Sequence, residues 1–380
     1  MQIIYIASSI IPSRYANSIQ VMKMCQAFAE AGHRITLCVP RWSGTSQKQD
    51  EIFQYYGIKR NFEIVMLRTP GLSHWRIVPV RLGQLLYSLR AVGFVKRRKP
   101  DLIYGRSFLA CCLAALLNLP VVFESHVAIK SDSLRGKLLR YLLESKRMRR
   151  LVVISTALRN YYVEQMKVPD TYIVIAPDAA DIPPEIMDQP DNGKNASLDV
   201  GYIGHLYPGK GMELISQLVG KCPWARFHIV GGAENDIRLW EDRLKEYSNI
   251  KFYGFVNPSD TEQYRQRCDV LLAPYQKKVI PSRTNGTDLA PWMSPLKLFE
   301  YMASGKAILC SKLDVLEEIL TDRETAVFCD PDNVDEWVAN LDDLRRNAPY
   351  REQLGVNARS VFLSQYTWQA RVQNIVNALS

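Results

Sequence analysis

The sequence predicts an α/β protein built from two Rossmann-like, doubly wound parallel-sheet domains facing a central cleft. Three observations predict it. The chain has 380 residues, more than a single hydrophobic core usually organises. In both halves short aliphatic or β-branched runs alternate with amphipathic helical stretches, the pattern of βαβ units. A proline-rich interruption separates the two halves.

In the first half the predicted strands are 3–7, 34–39, 63–67, 102–104, 121–124, 151–154 and 172–175, with helices between them. The clearest helix runs from Ser18 to Ala31. It carries Ile19, Val21, Met22, Cys25, Phe28 and Ala29 on one side, and Gly32-His33 stop it. Pro177, Pro183, Pro184, Pro190 and Gly193 crowd the next stretch, so the N-terminal domain is assigned to residues 1–180 and a linker to 181–197. The alternation restarts in a second domain, residues 198–366. Its predicted strands are 198–202, 226–230, 250–253, 270–273, 307–310 and 326–328, and its helices are 212–219, 236–246, 260–267, 295–303 and 315–320.

A composition of 47% hydrophobic, 23% charged and 10% aromatic residues excludes a disordered or collagen-like chain. The longest apolar run, Phe108 to Phe123, is broken by Asn118 and Pro120 and is too short to span a bilayer. It reads as a helix followed by a strand. Eight cysteines form no CxxC pair and no zinc-ligand spacing with histidine, so each reads as a small buried apolar residue in a reducing compartment. Residues 1–7 read directly as a first strand without a basic leader, and the expected location is cytoplasmic.

Charge is unevenly distributed. Up to residue 190 there are 26 Lys and Arg against 14 Asp and Glu, and beyond it 22 against 25. The cations gather at 96–99, at Arg135, Lys137 and Arg140, and at Lys146-Arg147 with Arg149-Arg150. A solvated face accounts for any one cluster; three together point to an anionic membrane surface or anionic acceptor. No nucleic-acid motif accompanies them.

Ligands of open α/β sheets bind beyond the carboxyl ends of the strands. After strand 198–202 comes Gly204-His205-Leu206-Tyr207-Pro208-Gly209-Lys210-Gly211, a glycine-bearing turn with a lysine before a helix N-terminus, which suits phosphate. It also reads as an ordinary turn with a surface lysine. It is not a P-loop, since Gly211 stands where Ser or Thr is required. Gly231-Gly232 and Gly254-Phe255-Val256 follow two other strands, where glycine lets a backbone approach a ring or phosphate closely. In Ser294-Pro295-Leu296-Lys297-Leu298-Phe299-Glu300, Pro295 suits the first position of a helix. Leu296, Phe299, Met302 and Ala303 form its buried stripe, and Glu300 lies on another face, placed either to accept ribose hydroxyls or simply to meet solvent. No GxGxxG follows a strand, which disfavours an NAD-dependent dehydrogenase, and no Ser-His-Asp set or glycosidase acid pair stands out.

As a set these motifs resemble the family 4 retaining glycosyltransferases, whose GT-B architecture pairs two Rossmann-like domains. The resemblance rests on Gly204-His205 through Lys210, Gly231-Gly232, Tyr253-Gly254-Phe255-Val256, Cys268-Asp269-Val270-Leu271-Leu272-Ala273-Pro274, and the SPxKxxEYMAxGK form of the signature helix from Ser294. It extends to Gly32-His33 and to Thr367-Trp368, before a last helix, 367–380, that in this family packs back on the N-terminal domain.

The resemblance implies that Lys210 neutralises the diphosphate of a UDP- or GDP-linked sugar, that Glu300 holds the ribose, and that the backbone of Ser294, Pro295, Leu296 and Lys297 cradles the β-phosphate. Phe255 and Val256 would lie beside the base, and His126 would reach the donor sugar. It implies transfer with retention, without cofactor or metal, to a glycan or lipid-linked acceptor in polysaccharide or glycoconjugate synthesis; the cationic N-terminal face would hold the chain peripheral at the inner membrane face. Three departures stand out. His205 replaces a frequent arginine, Trp292 replaces the first signature glutamate, with Asp288, Ser294 or backbone N–H groups as substitutes, and Ala16 and Asn17 occupy a loop where relatives have paired glycines. The rival readings are a nucleotide-sugar epimerase or hydrolase of the same architecture, and a non-catalytic nucleotide-sugar-binding subunit.

Overall fold

Each half of the chain is organised by one parallel sheet. In this computed structural model all residues are described except 42–47, 69–79, 185–196, 281–287 and 380; most of the predicted linker lies outside the described residues. The chain divides into two units, Met1–Pro177 with Trp368–Ser380, and Asp178–Thr367.

The first unit runs β1 (Gln2–Ile6), α1 (Ala16–Glu30), β2 (Arg34–Arg41), α2 (Gln49–Tyr56), β3 (Glu63–Arg68), α3 (Val80–Arg98), β4 (Leu102–Gly105), α4 (Phe108–Leu116), β5 (Val121–Ser125), α5 (Leu134–Glu144), β6 (Met148–Val153), α6 (Thr156–Met166) and β7 (Ile173–Ile175). Its sheet order is β3-β2-β1-β4-β5-β6-β7. The order reverses between β1 and β4, which makes that gap the place where a crevice opens. Ile3, Ile4, Tyr5 and Ile6 are all fully buried, because a parallel sheet is covered on both faces and its strands read as continuous apolar runs. The basic run at 146–150 partly belongs to β6: Met148 is buried while Arg149 stays exposed.

The second unit runs β8 (Leu198–Ile203), α7 (Met212–Lys221), β9 (Ala225–Val230), α8 (Glu234–Arg243), β10 (Ile250–Gly254), α9 (Glu262–Gln266), β11 (Val270–Ala273), α10 (Leu296–Ser304), β12 (Ala307–Ser311), α11 (Asp314–Glu317), β13 (Val327–Cys329), α12 (Val334–Arg346) and α13 (Ala348–Gln365). Its sheet order, β10-β9-β8-β11-β12-β13, reverses between β8 and β11. Val200, Phe227, Ile229, Leu272, Trp337 and Leu341 share its core.

The signature helix departs from expectation in two ways. Pro295 is its cap, with extended φ −79° and ψ 122°, so the helix begins at Leu296. Leu296 is only half-buried, whereas Leu298 and Tyr301 join Phe299, Met302 and Ala303 inside. A single stripe suits a helix lying on one surface; α10 is packed by α9, β11 and α13, so more of its circumference is covered.

The last helix, α14 (Trp368–Asn377), belongs to the first unit and packs on α1. Its Trp368, Arg371, Val372 and Ile375 are buried. All eight cysteines are buried and free. Among the described residues, no helix is long and apolar enough to cross a membrane.

Candidate active site

In the second unit the turns after β8, β9 and β10 are tied together. Gly204 N–H donates to Val230 O at 2.9 Å, and Gly231 N–H donates to Gly254 O at 2.7 Å. The approach is too close for side chains: a Cβ on Gly231, whose φ is +105°, would sit 2.4 Å from the Gly204 carbonyl oxygen. Gly204, Gly231, Gly232, Phe255 and Val256 are thereby drawn to one edge of the sheet. The turn closes on itself where the Tyr202 hydroxyl donates to His205 O at 2.6 Å.

Two lysines meet at this edge. Lys210 Nζ lies 4.6 Å from the centre of the Tyr275 ring and 5.4 Å from that of Tyr207. Lys297 Nζ, from the first turn of α10, lies 3.7 Å from the centre of the Tyr202 ring and 5.2 Å from that of Tyr275. Aromatic faces attract cations but do not replace lost water. Burial lowers Lys210 to about 8. Burial, followed by repulsion from Lys210, holds Lys297 well below the usual lysine range, against the pull of Glu300. The Lys297 ammonium is shut off from solvent and has no hydrogen-bond partner among the described residues. Tyr275 comes two residues after β11, so both lysines gather at the switch point between β8 and β11.

Helix α10 is locked to the turn by Tyr301, whose hydroxyl accepts the Ile203 N–H at 2.9 Å. The helix N-terminus and the glycine turn therefore form one rigid piece. Glu300 is about one-third exposed, and its Oε2 lies 3.3 Å from Nη1 of Arg265. Arg265 is buried and also pairs with Glu262 at 2.7 Å, which fixes the guanidinium and, through it, the glutamate.

The two side chains considered as substitutes for the missing glutamate already have structural partners. Asp288 Oδ1 accepts the N–H groups of Val279 and Ala290, at 2.9 and 3.0 Å. The buried Ser294 hydroxyl accepts the Asp178 N–H at 2.8 Å. Trp292 is half-buried.

In the first unit Ala16 and Asn17 are exposed at the start of α1. His126, just beyond β5, is 19% exposed in its side chain and has Nε2 on Oε1 of the fully buried Glu124. That carboxylate also accepts from Gln20 Nε2 at 2.8 Å, from Arg371 Nη2 at 3.0 Å and from the Tyr104 hydroxyl. Burial alone would push Glu124 up; Arg371, the His126 hydrogen bond and Arg106 outweigh it and hold the carboxyl well below the usual range. Arg106 Nη1 in turn donates to Gln20 Oε1 at 2.6 Å and reaches Asn17 O at 3.4 Å. Asn17, His126 and the end of β5 thus belong to one polar network at the switch point of the first sheet.

Sequence reasoning did not single out Glu124, Arg265, Arg371, Tyr275 or the Lys297 side chain. Glu124 had a signal, a lone acid ending the apolar run of a central parallel strand. Arg265 and Arg371 had none, because their partners are 35 and 247 residues away in sequence.

Comparison with known proteins fits this arrangement. Residues 18–182 match the family model "Glycosyltransferase Family 4" and residues 186–361 match "Glycosyl transferases group 1". A sulfoquinovosyl transferase of Arabidopsis thaliana is 22% identical over 85% of this chain and 64% of its own length. An uncharacterized glycosyltransferase of Methanocaldococcus jannaschii is 21% identical over 46% of this chain and 45% of its own. The chain thus spans less than two thirds of either relative. Among solved structures, Anabaena HepE in complex with UDP superposes with a TM-score of 0.73 at 16% identity, covering 100% of this chain and 99% of that one. Sucrose-phosphate synthase from Thermosynechococcus elongatus gives a TM-score of 0.76 at 16% identity, covering 99% and 98%. Together the two models take in most of the chain, its N-terminal half matching Family 4 and its C-terminal half group 1, and its two-sheet fold is the GT-B architecture of glycosyltransferases.

Proposed function

We propose that the protein transfers a sugar from a nucleoside diphosphate donor, with retention of anomeric configuration, to a glycan or lipid-linked acceptor. The observation that carries this is the meeting of the Lys210 ammonium, the glycine turn and the N-terminus of α10 at the switch point, with Glu300 one turn along the same helix. In such a reaction negative charge grows on the departing diphosphate. Preorganised cations and N–H dipoles aimed at that charge stabilise the transition state more than the ground state. Lys210 and the N–H groups at the start of α10 supply that positive charge, so transfer proceeds without a metal, and Glu300 accepts the ribose hydroxyls. His126, with Nε2 on Glu124, serves the donor sugar. HepE has been solved with UDP and with UDP-glucose, which favours a UDP-linked donor here.

A thermal-shift screen against UDP, GDP, ADP and their sugars tests the reading, since a ligand of the folded state raises its melting temperature. UDP is expected to stabilise the chain most; no stabilisation by any nucleoside diphosphate overturns the reading. Release of free or epimerised sugar without acceptor would favour an epimerase or hydrolase instead.

The acceptor side is read from α5. Leu134 and Tyr141 are 75% and 49% exposed, among the exposed cations Arg135, Lys137 and Arg140. Apolar side chains within a cationic face suit an anionic lipid surface, which would bring a lipid-linked acceptor to a cytoplasmic, peripheral enzyme. Vesicles containing anionic lipid should bind at low salt and release at high salt. Failure to bind at low salt sinks this part.

A further inference from the structure

We propose that the Lys297 side chain is a second phosphate-binding cation, and that the Lys210–Lys297 pair takes up a proton from solvent as a nucleoside diphosphate enters the turn. The inference rests on the donor-site reading above and goes beyond it, since that reading used only the backbone at Lys297.

The geometry supports it on three counts. Lys297 Nζ is solvent-inaccessible and lacks a hydrogen-bond partner among the described residues. It also lies directly against the phosphate turn, because a Cβ on Gly204 would sit 2.9 Å from it. Lastly, it shares the Tyr275 ring with Lys210, so two like charges occupy one desolvated corner. A buried ammonium without a partner is costly and favours its neutral form. An anion carrying several negative oxygens reverses that balance by giving both lysines a partner.

Other groups facing the pair do not supply the missing charge partner. The phenols of Tyr202, Tyr207, Tyr275 and Tyr301 are pushed up by burial, as is the Cys310 thiol on β12. Glu300 acts on Lys297 from the same helix but lies within 3.3 Å of Arg265. Glu213 acts from the first turn of α7, by way of Tyr202. The His205 ring is tilted against that of Tyr207, with ring centres 5.7 Å apart. The position where relatives carry an arginine is thus filled by His205, and the second cation comes instead from α10. A lysine there responds to the ligand, whereas an arginine would stay charged throughout.

The proton balance is simple. Neutral Lys297 takes a proton from the buffer when diphosphate binds and returns it when the nucleotide leaves. Calorimetric titration with UDP at pH 8, repeated in buffers of different ionisation enthalpy, counts those protons. At that pH the terminal phosphate, with a pKa of about 6, is fully ionised, so uptake comes from the protein. Lys210, at about 8, supplies roughly half a proton; wild type is expected to take up clearly more. Lys297→Arg should still bind UDP while taking up at least about half a proton less, and Lys297→Gln should bind about tenfold more weakly.

Tight UDP binding with no more uptake than Lys297→Arg, or unchanged affinity in Lys297→Gln, overturns the inference and leaves the donor site standing. Absence of binding by UDP, GDP and ADP overturns both. Should a variant fail to fold, the wild-type proton count alone decides, with half a proton or less counting against the proposal.

Discussion

Nη1 of Arg265, on the short helix α9, lies 3.3 Å from Oε2 of Glu300 on α10. Its Nε lies 2.7 Å from Glu262, so one buried guanidinium is held by a carboxylate of its own helix and presents its other arm to the glutamate proposed to hold the donor ribose. Arg265→Met should leave Glu300 free to change rotamer. The expected result is an affinity for UDP lowered about tenfold, or ~1.4 kcal/mol, read by calorimetry, with a circular dichroism spectrum like that of wild type.

In the proposed reaction Lys210 and Glu300 contribute at different stages. Lys210→Ala removes a cation facing the growing diphosphate charge and should lower kcat by about 10²–10³. Glu300→Gln keeps an acceptor for ribose and should act mainly on KM. Steady-state transfer assays separate the two. Near-wild-type turnover of Lys210→Ala would remove that residue from the site.

Gly231 has no room for a side chain. With φ at +105° and a Cβ position 2.4 Å from a backbone oxygen, Gly231→Ala must distort the turn that carries Gly204. A loss of more than about 1 kcal/mol in stability and weakened UDP binding are expected together, measured by urea unfolding and calorimetry.

Arg371 and Glu124 form an ion pair buried at 2% and 0% side-chain exposure, and it anchors α14 in the first unit through further bonds to Pro177 O and Ala176 O. Arg371→Met removes the cation that pairs this buried carboxylate, leaving it the hydrogen bonds of Gln20, Tyr104 and His126, and should cost about 3 kcal/mol. The pH response has a definite sign. Glu124 titrates lower when folded than when unfolded, so its contribution is complete above the unfolded value of about 4.3 and drains away as pH falls below it. The stability difference between wild type and Arg371→Met should therefore shrink as the pH falls below that value, because protonation of Glu124 removes the charge that Arg371 partners.

Metal chelation supplies a last check. Because lysines and helix N–H groups neutralise the diphosphate in the proposed reaction, transfer after exhaustive EDTA treatment should match the untreated rate. A loss restored by a divalent cation would contradict that account.

The architecture was legible in the sequence because parallel strands buried on both faces read as apolar runs. Val121–Glu124, Leu198–Tyr202 and Val270–Ala273 all lie within observed strands. The glycine turn, Lys210 and Glu300 were legible too, since strand end, glycine and helix start are neighbours along the chain. What local pattern could not supply was the partnership of residues far apart in sequence. Arg265 with Glu300, Arg371 with Glu124, and the two lysines around Tyr275 exist only once β8 and β11 lie side by side and α14 has docked on α1. Burial then gives those charges their consequence, because an ammonium or carboxylate that water would make unremarkable must find a partner, or lose its charge, once water is gone.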